Sequence, residues 1–196
     1  MKTSSEILDL PRLRAELAQG RRAALLLRHS ERPPIQTDDK EFGRTLGLTP
    51  RGIEMARTAG SHLAGISDVR FFASPMARCQ LTARHMAEGM GLPDATVIDA
   101  DPLGVRGFYY EDCYAVQEQM RQRGYMAFMI DYLRNGTAPH SRPLGPATDQ
   151  FADWLRRSTA TRLGVFISHD IFIASFLTGL KIRTYTAEDW VGFLHG

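Results

Sequence analysis

The chain has 196 residues, 43% of them hydrophobic and 23% charged, with a formal net charge of +2 at pH 7. These are values of an ordinary globular protein, so the composition argues against extensive disorder and against a membrane protein. The basic residues are scattered and form neither a stripe nor a reading motif, so we do not expect nucleic acid as a partner. The length suits one domain with a substantial core, and we expect residues 1–196 to form it.

The cysteines and the N-terminus bear on the compartment. Cys79 and Cys113 lie in unlike sequence contexts, which favours two small buried residues in a reducing compartment over a disulfide. Residues 1–6 include an acid and no long apolar run, unlike a secretory signal. No stretch reaches the length of a membrane-spanning helix. We therefore expect a cytoplasmic protein without membrane contact.

The first half of the chain predicts helices alternating with strands. Leucines on one face indicate a first helix, which Gly20 can end. Thr49 and Pro50 predict another helix start, because threonine caps free N–H groups and proline suits the first helical position. In chain order we predict a helix at 4–19, a buried strand at 22–28, a loop at 32–48, a helix from 49, a strand at 69–73 and a helix at 75–90.

The second half continues this alternation around a less regular segment. We predict a short strand at 96–98, a helical insertion at about 101–145 interrupted near Gly124, a loop at 140–146, an amphipathic helix ending near 157, a buried strand at 163–168 and a buried helix over 171–177. The insertion either roofs a site or forms a packing subdomain. Strands separated by helices at this spacing predict an α/β fold with a parallel sheet.

Polar side chains follow three of the predicted strands. The first strand ends in Arg28 and His29, the last runs into His169 and Asp170, and Arg78 lies one helical turn beyond the second. If the strands are parallel, all these groups meet at one edge of the sheet, where α/β proteins bind ligands. Arginine beside histidine suggests a site for an anion.

These motifs resemble those of the histidine phosphatase superfamily, which includes cofactor-dependent phosphoglycerate mutases and histidine acid phosphatases. The resemblance spans about residues 22–180 and implies a phosphoglycerate mutase-like fold, a three-layer α/β/α sandwich with a mostly parallel central sheet. Four ordered motifs are far more specific than any one alone. They are Arg28-His29-Ser30 at the family's Arg-His-Gly turn, Leu48-Thr49-Pro50-Arg51-Gly52 at its Leu-Thr-Pro-x-Gly helix start, Ser74-Pro75-Met76-Ala77-Arg78 at its Ser-Pro-x-x-Arg helix, and Ser168-His169-Asp170 at its late histidine motif.

The resemblance implies a role for each matched residue. His29 would be the nucleophile that accepts a phosphoryl group, and Arg28, Arg78 and His169 would hold the phosphate oxygens. The stretch from Arg28 to Pro34 also fits the acid-phosphatase pattern Arg-His-Gly-x-Arg-x-Pro, which makes Arg32 a further phosphate ligand. Guanidinium groups match phosphate geometry, so the clamp requires no metal and no other cofactor.

The proton donor for the leaving group is assigned less directly. The acid-phosphatase pattern implies Asp170, although an aspartate at this position also suits a helix N-cap. The mutase-like branch uses a glutamate from the middle of the chain, which keeps Glu111 and Asp112 as reserve candidates. Ser30 stands where the family has glycine, so its side chain could shift the loop or add a hydroxyl donor.

We therefore predict a metal-independent histidine phosphatase. It would cleave a phosphomonoester through a phosphohistidine on His29, with a small-molecule phosphomonoester or a phosphopeptide as substrate. The alternatives are a phosphomutase and a non-catalytic, regulatory module that binds a phosphorylated ligand. The sequence determines neither the particular substrate nor the oligomeric state.

Overall fold

The computed structural model describes residues 9–36, 39 and 41–196, and this part of the chain contains one four-stranded sheet. Every strand pair is parallel, which confirms the predicted sheet. In register, Arg28 pairs with Ser168, so the polar ends of the first and last strands are neighbours. The strands are β1 (Ala23–Arg28), β2 (Val69–Ala73), β3 (Val97–Asp99) and β4 (Leu163–Ser168), in the order β1-β4-β2-β3.

Helices connect and cover the strands. They are α1 (Leu10–Ala18), α2 (Pro50–Ser61), α3 (Ala77–Gly89), α4 (Cys113–Arg123), α5 (Tyr125–Asn135), α6 (Leu144–Ser158) and α7 (Asp170–Gly179), with a short 3₁₀ turn at Asp101–Leu103. No helix within the described ranges is long and apolar enough to cross a membrane.

The sheet has a core on each face, because successive side chains of a strand point to opposite sides. On one face Phe71 and Val165 pack with residues of α2 and α3. On the other, the rings of Phe72 and Phe166 stack 4.7 Å apart and join a cluster from α4, α5, α6 and α7. Helices on both faces of a parallel sheet confirm the predicted three-layer α/β/α sandwich.

Helix α2 begins where the sequence predicts. The Thr49 hydroxyl accepts a hydrogen bond from the Gly52 N–H at 2.9 Å, so threonine is the N-cap. Glycine at position 52 is required by a close approach: a Cβ atom there would lie 2.1 Å from the carbonyl oxygen of Glu31. The start of α2 is thereby packed against the loop that follows β1.

Several element boundaries differ from the sequence prediction, some of them by a single residue. The first helix begins at Leu10, capped by Asp9, and residues 4–8 of the predicted helix lie outside the described residues. The loop predicted at 140–146 is wrong at its end, because α6 already starts at Leu144. Pro146 is tolerated there, since N–H groups of the first turn have no partner within a helix. Helix α3 starts at Ala77, two residues later than predicted.

The predicted insertion contains α4 and α5, which meet at Gly124. This glycine has φ of 87°, a backbone conformation that separates the two helices. Val116 of α4 and Phe128 of α5 are fully buried in the core on that face. The two helices therefore contribute to the hydrophobic core on that face of the sheet.

Candidate active site

A cavity of about 1250 Å³ lies at the carboxyl ends of β1 and β4. Helices α4 and α5 supply one wall and the loop after β1 another, so the insertion both packs and roofs the site. The residues for which the sequence predicts primary site roles all line this cavity: Arg28, His29, Arg32, Arg78, His169 and Asp170.

His29 lies directly after β1 and is 2% exposed. Its Nδ1 is 2.8 Å from the carbonyl oxygen of Ser30, an acceptor, so Nδ1 carries the proton and Nε2 keeps a free lone pair. Burial, and then the charges of Arg78, Arg28 and Arg32, lower the pKa of His29 to about 3. The imidazole is therefore neutral at physiological pH, as a nucleophile must be.

The side chain of Ser30 points away from the cavity. Its hydroxyl donates to the Gly52 carbonyl at 2.7 Å, and its N–H donates to the Thr82 hydroxyl at 2.9 Å. Ser30 is fully buried and is not part of the cavity wall. Ser30 thus fastens the loop of His29 to α2 and α3.

The lowered pKa of His29 makes protein stability depend on pH. Between pH 6.5 and about 3 the unfolded chain binds a proton at His29 that the folded protein excludes, so lowering the pH favours unfolding. We expect this residue to remove about 2 kcal/mol of stability between about pH 7.5 and about pH 5. Urea unfolding of wild type and His29→Asn at both pH values measures it. An equal pH dependence in the two proteins would contradict the lowered pKa.

Arg78 and His169 form a buried pair beside His29. Arg78 is 5% exposed, not a solvated helix residue, and donates to the Gly43 carbonyl at 2.8 Å. Its other terminal nitrogen lies 3.3 Å from Nδ1 of His169, whose Nε2 lies 3.0 Å from the Ser74 hydroxyl. The rings of His29 and His169 are 5.5 Å apart. Both nitrogens of His169 thus have protein partners, so it supports Arg78, and its direct contact with phosphate stays a prediction.

Burial also affects the protonation of His169. Together with the charge of Arg78, it lowers the pKa of His169 well below the ordinary value. A neutral imidazole can accept the Arg78 hydrogen bond through Nδ1, which leaves the Nε2 proton for Ser74.

Three arginines that line the cavity each have a buried donor without a partner among the described residues. The buried Nε atoms of Arg28, Arg32 and Arg78 have no hydrogen-bond partner among the described residues. Their other nitrogens are held in place: Arg28 donates to the Val191 carbonyl at 2.5 Å and Arg32 to the Pro33 carbonyl at 2.7 Å. A buried donor without an acceptor costs free energy, and an anion in the cavity would remove that cost.

Asp170 lines the cavity as the first residue of α7, and His169 occupies the N-cap position. Oδ2 of Asp170 accepts a hydrogen bond from Trp190 Nε1 at 3.1 Å and lies 3.2 Å from the Arg28 guanidinium. Oδ1 of Asp170 accepts from the Ile171 N–H. The N-cap interpretation of Asp170 is therefore wrong, because its carboxylate is directed mainly to groups of the site.

The reserve acids lie elsewhere. Glu111 is exposed, and Asp112 caps α4 by accepting from the N–H groups of Tyr114 and Ala115. Neither residue lines the cavity. Their role as proton donors, which needs direct contact with the bound ester, stays a prediction.

Sequence reasoning missed two contributors to the site. Glu118 of α4 lines the cavity. No motif in the sequence marks this residue, because the packing of α4 decides which of its side chains meet the cavity. The C-terminal segment is the second: Trp190 holds Asp170, Val191 holds Arg28, and the Phe193 ring lies 4.4 Å from the Arg28 guanidinium carbon. An apolar stretch such as that at 190–194 is typical of a packed segment, but only the fold shows which residues it contacts.

The described residues contain no group of three or more histidine, cysteine, aspartate or glutamate side chains placed to hold a metal ion. Both cysteines are free, and Cys79 is buried with Sγ 3.6 Å from His169 Nε2. Burial raises the pKa of this thiol to about 12, so it stays protonated.

Part of the chain matches a family model. Residues 24–102 match the model of the histidine phosphatase superfamily (branch 1), a range that contains Arg28, His29 and Arg78 and ends before Asp170. A search of curated proteins gives no match.

Solved structures share the fold at low sequence identity. A phosphoglycerate mutase from Bacillus anthracis is 12% identical with a TM-score of 0.53, covering 83% of this chain and 82% of that one. The mycobacterial glucosyl-3-phosphoglycerate phosphatase in complex with inorganic phosphate is 18% identical with a TM-score of 0.52, covering 79% and 76%. Bacillus stearothermophilus YhfR is 12% identical with a TM-score of 0.54, covering 88% and 86%. The chain is thus similar to the histidine phosphatase superfamily over residues 24–102, and its fold is that of these solved structures.

Proposed function

We propose that the protein is a metal-independent phosphohydrolase that cleaves a phosphomonoester through a phosphohistidine on His29. One observation carries the proposal: the free Nε2 of a neutral, buried imidazole shares a cavity with three arginines whose Nε donors have no partner. A phosphoryl group in transfer spreads negative charge over its oxygens, and fixed guanidinium donors stabilise that charge.

The proposed reaction has two steps. The lone pair of His29 Nε2 forms a bond to phosphorus, the ester P–O bond breaks, and Asp170 gives a proton to the departing oxygen. Water then attacks the phosphohistidine, the P–N bond breaks, phosphate leaves, and the Asp170 carboxylate accepts the proton of the water. Atoms and charge balance without any further reactant.

Asp170 is preferred over Glu118 as the acid. Glu118 accepts hydrogen bonds from Arg121 and Gln122, and these, Arg121 first, lower the pKa of its carboxyl. Asp170 instead adjoins Arg28, next in the chain to the proposed nucleophile.

Trapping the intermediate tests the proposal. The wild-type protein is mixed with ³²P-labelled phosphomonoesters, namely sugar phosphates, nucleotides and phosphopeptides, and quenched in base. We expect a protein label that survives base, is lost in acid and maps to His29 by mass spectrometry. Release of inorganic phosphate supports a phosphohydrolase, and an isomeric phosphoester with little free phosphate supports the phosphomutase. Phosphate binding without any label would favour a non-catalytic binding module.

The cytoplasmic location stays a prediction.

Trp190 should act as a positioning residue for Asp170. Trp190→Phe keeps an aromatic ring but removes the indole N–H that donates to the carboxylate. A hydrogen bond to a charged group contributes about 1.5 to 3 kcal/mol, so we expect kcat for alkyl phosphates to fall roughly tenfold or more. Aryl phosphates, whose leaving oxygen needs less protonation, should lose less.

The chain's other tryptophan provides the control. Trp154 belongs to α6 and does not line the cavity. Trp154→Phe should therefore not lower kcat selectively for alkyl or for aryl phosphates. Steady-state kinetics on both substrate classes give the measurement. Equal losses for alkyl and aryl phosphates in Trp190→Phe would show a merely structural role.

A further inference from the structure

The cavity is much larger than the phosphate clamp at its base. Its volume of about 1250 Å³ exceeds the usual range for a drug-sized ligand, roughly 300 to 1,000 Å³. A phosphate held by the arginines would leave most of this space for the rest of the substrate. The remaining volume would therefore hold the leaving group of the ester, an interpretation that rests on the proposed function.

Beyond the clamp, the described wall is mostly apolar or aromatic. Its outer lining includes Ile35, Phe42, Met76, Val105, Tyr114 and Met120. Tyr114 is 75% exposed, so its ring is free to contact a bound molecule. Such a surface gains free energy by covering apolar atoms of a bound molecule.

The charged groups of the outer wall already have partners. Arg121 donates to both carboxylate oxygens of Glu118, at 2.9 Å through Nε and 2.7 Å through a terminal nitrogen. Asp39 accepts from the N–H groups of Glu41 and Gly43. Within the described lining, Arg121 is the one cation outside the clamp, and Glu118 already competes for it. The side chains of Gln36 and Gln117 supply neutral hydrogen-bonding groups instead.

From these observations we infer that the substrate is the phosphate ester of a bulky, uncharged, largely apolar or aromatic alcohol. A small ester that carries a second anion, such as a carboxylate, would enter a wall that offers apolar surface and an occupied arginine. That carboxylate would have to compete with Glu118 for Arg121, and contact with the apolar wall would remove part of its water at a cost in free energy. Selection would therefore work both by attraction to the apolar part and by rejection of charge.

Matched aryl esters test the inference. We would compare kcat/KM for biphenyl-4-yl phosphate and 4-carboxyphenyl phosphate, which differ in apolar area and charge while both leave as phenols. We expect at least tenfold preference for the biphenyl ester. Tyr114→Ala should reduce that preference, and Glu118→Gln should raise the rate on the carboxylate ester by releasing Arg121. Equal rates, or preference for the carboxylate ester, would overturn the inference.

Binding separates this inference from the proposed function. Calorimetry with the two corresponding non-hydrolysable phosphonates requires no catalysis, and we expect the biphenyl compound to bind at least tenfold more tightly. If that preference appears without phosphoenzyme or turnover, the proposed hydrolysis fails while the ligand class stands. If phosphoenzyme forms but the carboxylate compound binds equally well, the ligand class is wrong and the hydrolysis stands.

Discussion

His29→Asn is expected to abolish both the phosphoenzyme and turnover. Asparagine is close in size to imidazole but offers no nitrogen lone pair at the Nε2 position, so the first P–N bond cannot form. Loss of a nucleophile typically lowers kcat on the order of a thousandfold or more. Base-stable label and steady-state kcat, measured with the same ester, report the two effects separately.

The arginine clamp should survive that substitution. Arg78 is held by the Gly43 carbonyl and His169, and Arg28 by Val191 and Asp170, so neither depends on the His29 ring for a hydrogen bond. Inorganic phosphate should therefore still bind to His29→Asn. His62→Asn, at the exposed end of α2 and away from the cavity, is the matched control and should keep full activity. A fully labelled His29→Asn protein would show that another residue is the nucleophile.

Asp170→Asn should show the second largest effect, and its size should depend on the leaving group. The amide preserves the shape of the side chain and can still accept from Trp190, but it has no proton to give to an ester oxygen. General acid catalysis contributes about 10²- to 10⁴-fold, so we expect losses in that range for alkyl phosphates. Esters of acidic phenols should lose little, because their oxygen leaves without protonation.

The reserve candidates supply the comparison for this variant. Asp112→Asn and Glu111→Gln change acids outside the cavity and should leave the dependence on leaving group as in wild type. Asp112→Asn retains an N-cap for α4, so stability should also change little. If Glu118→Gln, rather than Asp170→Asn, removes turnover of alkyl phosphates selectively, the proton donor has been assigned to the wrong carboxylate.

The pH dependence of activity tests the first step of the proposed reaction independently. With a pKa of about 3, His29 stays neutral in mildly acidic solution, so the nucleophile is not lost by protonation as the pH falls to about 5. Any decline of activity over that range must then come from another group or from the loss of stability described above.

Local sequence signals were enough to predict the sheet, the order of its motifs and the residues that meet at its edge. Apolar runs that end in charge are readable in sequence, because a charge cannot follow a strand into the core without a partner. Parallel pairing then brings such ends together, as the neighbouring positions of Arg28 and Ser168 show. This reasoning located His29, Arg78 and His169, which lie far apart in the chain.

Tertiary structure decided what depends on contacts between distant segments. Ser30 fastens its loop to Gly52, Glu118 lines the cavity from α4, and Trp190 reaches Asp170 from the segment after α7. A hydrogen bond between residues distant in sequence leaves no periodic pattern in either segment. The sequence by itself therefore determined the chemical groups of the site, whereas their partners, burial and lowered pKa values arise only when the folded chain surrounds them.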